Sequence, residues 1–338
     1  MEQFLRRHPF WFLVLAVLAA TLLWAVLAPW PAELEAAIGR KRIFLNALLG
    51  GITLGALYFL VASGFTLIFG LMRIVNMAHG SLFLLGGYLG YEVATATGSW
   101  FLAFPVVFVV VGLVGLVMQR FIFGKMEGEE LRQTLVSIGL SIVIADVMLW
   151  WWGGQSYTTL APEFLRGPME LPFISSINPT SGDIVWIRYP SVRIWILAAA
   201  IVIGVAMWLV LNRTALGMLI RAGVDDREML AASGVRIQLV FLAVFVFGAG
   251  LAGVAGIIAG TFQSLSPGED TRFLLASLVV VIVGGMGSIV GAALGALVIG
   301  VTEQMGLVYA PTYSVVFTFL IMAAVLAFRP QGLLGSRR

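Results

Sequence analysis

The chain contains no cysteine and only two histidines, His8 and His79, far apart in sequence. The first absence excludes a disulfide framework, a thiol nucleophile and a Cys-based metal site, and the second leaves no zinc-ligand spacing. There is no nucleophile elbow and no Walker phosphate loop either. Charge is equally scarce: only 11% of the 338 residues are Asp, Glu, Lys or Arg, against roughly a quarter in soluble domains. In their place the chain is 60% hydrophobic, with a mean hydropathy of +1.02. Such a composition describes an all-α integral membrane protein with several spans of about 20 residues. The net charge of +3 requires no nucleic acid, since basic residues gather on the cytoplasmic rims of membrane proteins.

About ten spans are expected, within a range of 8–10. Residues 10–28, after Arg6 and Arg7, are too long for a signal-peptide core and lack a clean small-residue cleavage site, so they read as a first membrane helix. A polar link carrying Glu33, Glu35, Arg40, Lys41 and Arg42 follows, and residues 1–43 form an N-terminal addition to a main domain, 44–338. Further spans fall at about 44–69, 81–95, 101–121, 134–152, 193–211, 238–262, 273–283, from Ser288 onward, and 314–328. Asp146 lies six residues before Trp152, inside the fifth span. A charge at mid-membrane costs about 2.5–3.5 kcal/mol on insertion scales, so Asp146 reads as a structurally paired group rather than a substrate ligand. Residues 153–192, with five prolines and several aromatics, read as an ordered loop on the outer face.

Two segments break the apolar pattern inside the main domain. Gly70 to Tyr91 includes Asn76, Ala78, His79, Gly80 and Ser81 ahead of a glycine-rich helix. That pattern fits a helix starting inside the membrane, tolerated only where it lines a cavity; it fits a tight capped turn equally well. Ser266 to Asp270 is the second break, with Asp270 or Thr271 available as an N-cap. Phe83-Leu84-Leu85 and Phe273-Leu274-Leu275 are identical triplets after the two breaks, a weak inverted repeat. A rival register pairs Gly80-Ser81 with Gly287-Ser288. Gly287, Gly291 and Gly295, spaced by four, read as a stripe for close helix packing rather than a ligand motif.

The longest charged stretch between apolar runs is 213–236, RTALGMLIRAGVDDREMLAASGVR. Asp225 can N-cap a short helix, with Glu228 completing a capping box and Gly234 suiting the left-handed position at its end. By itself the stretch is a solvated loop or a surface for a soluble partner. Thr214, Gly217, Arg221-Ala222, Asp226, Met229 and Gly234-Val235 resemble the cytoplasmic coupling loop of the branched-chain amino acid (LivH/LivM-type) permeases of ATP-binding-cassette importers. The Asn76, Ala78, His79, Gly80 pattern, the Gly284-Gly285-Met286-Gly287-Ser288 segment and the Pro330-Gln331-Gly332-Leu333-Leu334-Gly335 ending extend the resemblance to the C-terminus. The family usually places alanine where Leu230 stands.

The resemblance implies a bacterial inner-membrane subunit with both termini cytoplasmic, and no catalytic residue or cofactor of its own. ATP and Mg²⁺ would be used by two separate ATPase subunits docked on 213–236. A second permease subunit would complete the path, and a soluble binding protein would deliver the cargo, a branched-chain amino acid or a related solute such as urea, an amide or a small carboxylate. Asn76, His79, Gly80, Ser81, Asp270 and Thr271 would border the path, and bulk at Gly80 would slow uptake while leaving assembly intact. Proline at Met229 would break the coupling helix. A stand-alone channel or ion-coupled carrier would leave the charged loop without a role, and only Glu92, Asp146 and Glu303 could couple an ion.

With ten crossings, only seven of the twenty Lys/Arg lie outside, so the positive-inside rule holds, although Arg40–Arg42 run against it. The cysteine-free background makes the orientation testable. A single cysteine at Thr180 reacts with an impermeant thiol reagent from outside intact cells, and one at Asp226 only after permeabilisation. Equal labelling at both positions in intact cells contradicts the arrangement.

Overall fold

The computed structural model describes residue 30 and residues 41–72, 75–126, 128–177, 184–225 and 227–335. The expected first helix at 10–28, nearly all of the polar link and Asp226 lie outside the described residues. Nine long helices run through the rest. They are α1 (Lys41–Met72), α2 (His79–Thr97), α3 (Trp100–Val117, prolonged by a π-helical turn Met118–Ile122), α4 (Glu130–Trp152), α5 (Ser191–Arg213), α8 (Ile237–Phe262), α9 (Glu269–Gly284), α10 (Ile289–Tyr309) and α11 (Ser314–Phe328). Two short helices, α6 (Ala215–Asp225) and α7 (Arg227–Ala232), join α5 to α8. Runs of Leu, Val, Ile and Ala this long can satisfy their backbone in a bilayer only as helices. Seven of the nine are long and apolar enough to cross a membrane; α2 and α9 are the exceptions.

The bundle is built from two sets of four helices, α1–α4 and α8–α11. α1 packs on α10, the third helix of the other set, just as α8 packs on α3; α1 also packs on α8, and α2 on α9. α4 lies against α2 as α11 lies against α9. Phe83 and Phe273 are the fifth residues of α2 and α9, and their rings meet with centroids 4.4 Å apart. The triplet register is therefore the one the fold uses, and the Gly80-Ser81 with Gly287-Ser288 register is not. α1 and α8 run antiparallel. Gly64 meets Gly248, while at one end of the bundle Tyr189 bonds Thr53 at 2.7 Å and Arg193 stacks between Tyr189 and Phe262. The two sets thus enter from opposite ends.

At the other end, Leu333 and Leu334 donate their N–H groups to Val283 and Gly284 (2.8 and 3.0 Å), so the C-terminal segment closes over the end of α9. The outer-loop stretch holds a 3-10 turn, Glu163–Leu165, and then a hairpin. Pro168–Ile177 (β1) and Ile184–Pro190 (β2) pair antiparallel, with Pro168 opposite Pro190 and a register shift between Leu171 and Ser175. Tyr157 exchanges backbone hydrogen bonds with Leu265, pinning this loop to the α8–α9 turn.

The helix cap expected at Asp270 or Thr271 belongs to Gly268, at φ 99°, a left-handed conformation that glycine adopts without strain. Asp270 instead lies in the first turn of α9 and is buried. Gly80 lies directly against it: a Cβ there would fall 2.1 Å from the Asp270 carbonyl oxygen and 2.8 Å from the Leu274 Cβ. This corrects the expectation that bulk at Gly80 spares assembly, because backbone cannot yield that distance without parting α2 from α9. Gly80→Leu is expected to give little monodisperse protein and a lowered thermal midpoint. Parent-like recovery and midpoint would show that the two helix starts tolerate separation.

Candidate functional site

The junction of α2 and α9 collects most of the expected path residues. Asn76 accepts from the Ala78 N–H through Oδ1 at 3.1 Å, shaping the turn into α2. His79 places Nε2 3.0 Å from the Val61 carbonyl and its ring edge-on to Phe65. Ser81 sits 2.8 Å from the Ser141 hydroxyl on α4 and donates to the Asp270 carboxylate at 3.3 Å. Asn76, His79 and Ser81 are fully buried, so within this chain they hold the helix start in place; Thr271 alone among the six is exposed. His79 Nδ1 and Asn76 Nδ2 are buried without a hydrogen-bond partner among the described residues. Each such group costs about 1–3 kcal/mol, a burden carried more often at functional sites than in plain cores.

Two helix N-termini converge here, each carrying roughly half a positive charge. Asp270 brings an acidic group to that convergence. Beside it, Arg272 pairs with Glu269 at 3.3 Å and, more loosely, with Glu303 of α10 at 3.8 Å. The Tyr58 hydroxyl of α1 donates to Glu303 at 2.8 Å. Arg272 and Tyr58 went unmarked in sequence: Arg272 reads as a loop cation, and a tyrosine in an apolar run carries no signal. Only the fold brings four helices' worth of polar groups together. Asp146, read as a paired group, is exposed on α4 and makes no hydrogen bond or ion pair among the described residues.

The second assembly is the elbow at α6 and α7. Thr214 ends α5 and starts α6: its hydroxyl donates to the Val210 carbonyl at 2.6 Å and accepts from the Gly217 N–H at 3.2 Å. Gly217 faces the Val210 and Leu211 carbonyls, where a Cβ would fall 2.2–2.4 Å from oxygen. Arg221 donates to the Leu211 carbonyl and contacts Asn212 Oδ1 at 3.4 Å, closing the C-terminus of α5. These three residues therefore brace the elbow, while Ala222 and Met229 are exposed on it. Gly234 takes the left-handed conformation expected of it, at φ 85°. The capping box does not sit as expected. Asp225 is the last residue of α6, α7 begins at Arg227, and the position between is Asp226, outside the described residues. Met229 is the third residue of α7. Proline at the fifth residue, Ala231, falls deeper in the helix and costs it more.

Of the glycine stripe, Gly291 and Gly295 lie in α10 against Gly284 of α9. Gly287 precedes the helix, at φ 80° in a turn against Gly70, and Ser288 is the N-cap, accepting from the Gly291 N–H at 3.0 Å.

The sequence that builds this bundle and elbow matches a known family. The family model for "Branched-chain amino acid transport system / permease component" matches residues 47–326. The chain belongs to that family. It is 29% identical over 304 residues to the high-affinity branched-chain amino acid transport permease BraD of Pseudomonas aeruginosa, covering 86% of this chain and 96% of the relative. It is 27% identical over 305 residues to LivH of Escherichia coli K12, with the same coverage. A probable LivH of Methanocaldococcus jannaschii is 25% identical over 309 residues, covering 88% of this chain and 93% of that one. No solved structure matches the chain. In this permease Leu230, where the family resemblance expects alanine, is buried at 9% exposure.

The Tyr58–Glu303 bond yields a graded expectation. Glu303→Gln keeps an acceptor for Tyr58 and costs little stability. Glu303→Leu leaves the tyrosine hydroxyl buried and unpaired, at about 1–3 kcal/mol. Adding Tyr58→Phe to Glu303→Leu recovers part of that loss, a coupling read from the thermal midpoints of the four proteins. Additive losses would mean that the two groups do not interact.

Proposed function

We propose that this chain is the membrane subunit of an ATP-driven importer of branched-chain amino acids, oriented with the α6–α7 elbow in the cytoplasm and the β1–β2 hairpin outside. The elbow carries the reading. It is a partly exposed pair of short helices, the first of them amphipathic, braced onto the end of a spanning helix by Thr214, Gly217 and Arg221. A rigidly held but exposed surface of this kind suits mechanical coupling to a soluble subunit: motion imposed on α6 reaches α5 through backbone contacts. Two ATPase subunits would dock there and supply ATP and Mg²⁺ chemistry, and a periplasmic binding protein would deliver cargo at the hairpin end.

A second permease subunit follows from the exposed charges. Asp146 and Arg272 are both exposed at the surface of the described chain. Facing lipid, each would cost about 2.5–3.5 kcal/mol toward the membrane centre. Contact with a partner permease, or with a water-filled path between the two, removes that cost. Cargo would then pass along Thr271 and Arg272 at the start of α9, with the buried Asn76, His79, Gly80 and Ser81 holding the α2 end in register. The relatives' names support branched-chain amino acids over urea, amides or carboxylates.

Proline at Ala231 removes an N–H from the interior of α7, a loss of about 3 kcal/mol or more. A helix of six residues has little stability of its own, so it melts while the bundle persists. The expected result is an Ala231→Pro subunit that reaches the membrane, no longer co-purifies with its ATPase and shows no binding-protein-stimulated ATP hydrolysis. Proline at Ser156, in an exposed loop at the other end, leaves all three properties intact. Retention of the ATPase by Ala231→Pro would remove the elbow as the coupling element.

A further inference from the structure

Where the end of α3 meets the start of α8, the structure contains a cleft of about 620 Å³. It lies apart from the α2–α9 junction and from the Thr214, Gly217 and Arg221 braces, although Arg236 is the last residue of the 213–236 stretch. Arg120 and Arg236 stand on it. Arg120 is exposed on the π-helical turn Met118–Ile122, and Arg236 is exposed immediately before the first residue of α8. Neither guanidinium has a hydrogen-bond or ion-pair partner among the described residues. The remaining wall is the first turn and a half of a membrane helix, with Ile237, Leu239 and Phe241 supplying apolar surface and Gln238 an amide. Leu239 is 56% exposed while Phe241 is buried, so the apolar wall opens toward the surroundings of the bundle.

We propose that this cleft binds the headgroup of an anionic phospholipid. Guanidinium groups grip phosphate oxygens in pairs, and basic pockets between helices at the rim of a bundle are the ordinary seat of acidic headgroups. The chemistry shared by a lipid and a free phosphate is the anion. The apolar wall separates them: Leu239 offers a surface for an acyl chain that a dissolved ion would not use. A π turn is a frequent marker of functional positions in helices, and here it carries one of the two arginines. The lipid would bridge the end of α3 to the start of α8. Because α7 packs on α8, it would also steady the root of the elbow.

The test uses the purified full-length chain, delipidated in neutral detergent. Native mass spectrometry measures retention of added cardiolipin, phosphatidylglycerol or phosphatidylcholine. The wild-type protein is expected to retain the two anionic lipids in preference to phosphatidylcholine. With each basic group near an anionic headgroup worth about fivefold in binding, Arg120→Gln combined with Arg236→Gln lowers that retention roughly thirtyfold. Arg120→Lys with Arg236→Lys keeps most of it, and both double variants keep the parent's thermal midpoint in neutral detergent, which separates lost binding from lost folding. Inorganic phosphate at matched concentration displaces no lipid. The proposal is overturned by equal retention of all three lipids, by unchanged retention in the Gln double variant, or by displacement with inorganic phosphate, which would make this a soluble-anion site. Loss of ATPase co-purification with lipid retention unchanged would assign the arginines to the ATPase and overturn it equally.

Discussion

Two helices that begin inside the bundle, with their N-termini in contact, are the constraint on which this fold depends. Unsatisfied N–H groups gather at a helix start, and the aligned peptide dipoles place partial positive charge there. Bringing two such ends together in a medium of low dielectric is unfavourable unless something answers the charge. Asp270, in the first turn of one helix and bonded by Ser81 from the first turn of the other, is that group. Gly80 makes the approach sterically possible. Removing either the acid or the glycine acts on the same contact, one through electrostatics and the other through backbone overlap.

Around that contact the two helix sets repeat one plan. The first helix of each set buries itself against the third helix of the opposite set, so α1 and α8 form the centre and α4 and α11 the periphery. Small residues permit this. Gly86 approaches Gly253, and Gly256 approaches Phe83 and Gly87, at distances no Cβ could share. In a bilayer, where lipid is as apolar as leucine, such close backbone packing supplies much of the association energy. The polar groups are placed where the plan requires them: the Tyr58, Glu303 and Arg272 network where α9 starts between α1 and α10, and the Thr214 and Arg221 braces where α5 ends.

The motifs behind the resemblance and the physical reading point to the same two places for different reasons. The motif around Asn76 to Ser81 forms the start of a broken helix, and its residues act mainly by holding that start rather than by facing a cavity. The loop from Arg213 to Arg236 is a braced elbow in which a threonine, a glycine and an arginine serve the backbone of the preceding helix. Ala222 and Met218 are among the residues exposed on it.

Period and composition alone determined much of this protein. Apolar runs of about 20 residues can only be helices in a bilayer, so the spans, their approximate ends and the all-α class were legible, as were Gly234 as a helix stop and the triplets that mark the repeat. Local chemistry also marked the breaks at Asn76 to Gly80 and at Ser266 to Asp270. What it could not decide was partnership across the bundle. Asp270 reads as a cap because a cap is a local role, yet tertiary packing made it the counter-charge of a neighbouring helix. Asp146 reads as paired because an isolated intramembrane charge is costly, yet no partner for it lies within the described chain. The β1–β2 hairpin was hidden too, since a proline-rich loop has no periodicity that outweighs its polarity. Helix α6 is amphipathic but stayed hidden because the local cap signals point to a helix after Asp225. Which side chains meet depends on contacts between residues up to 245 positions apart, as for Tyr58 and Glu303, and no local pattern encodes those.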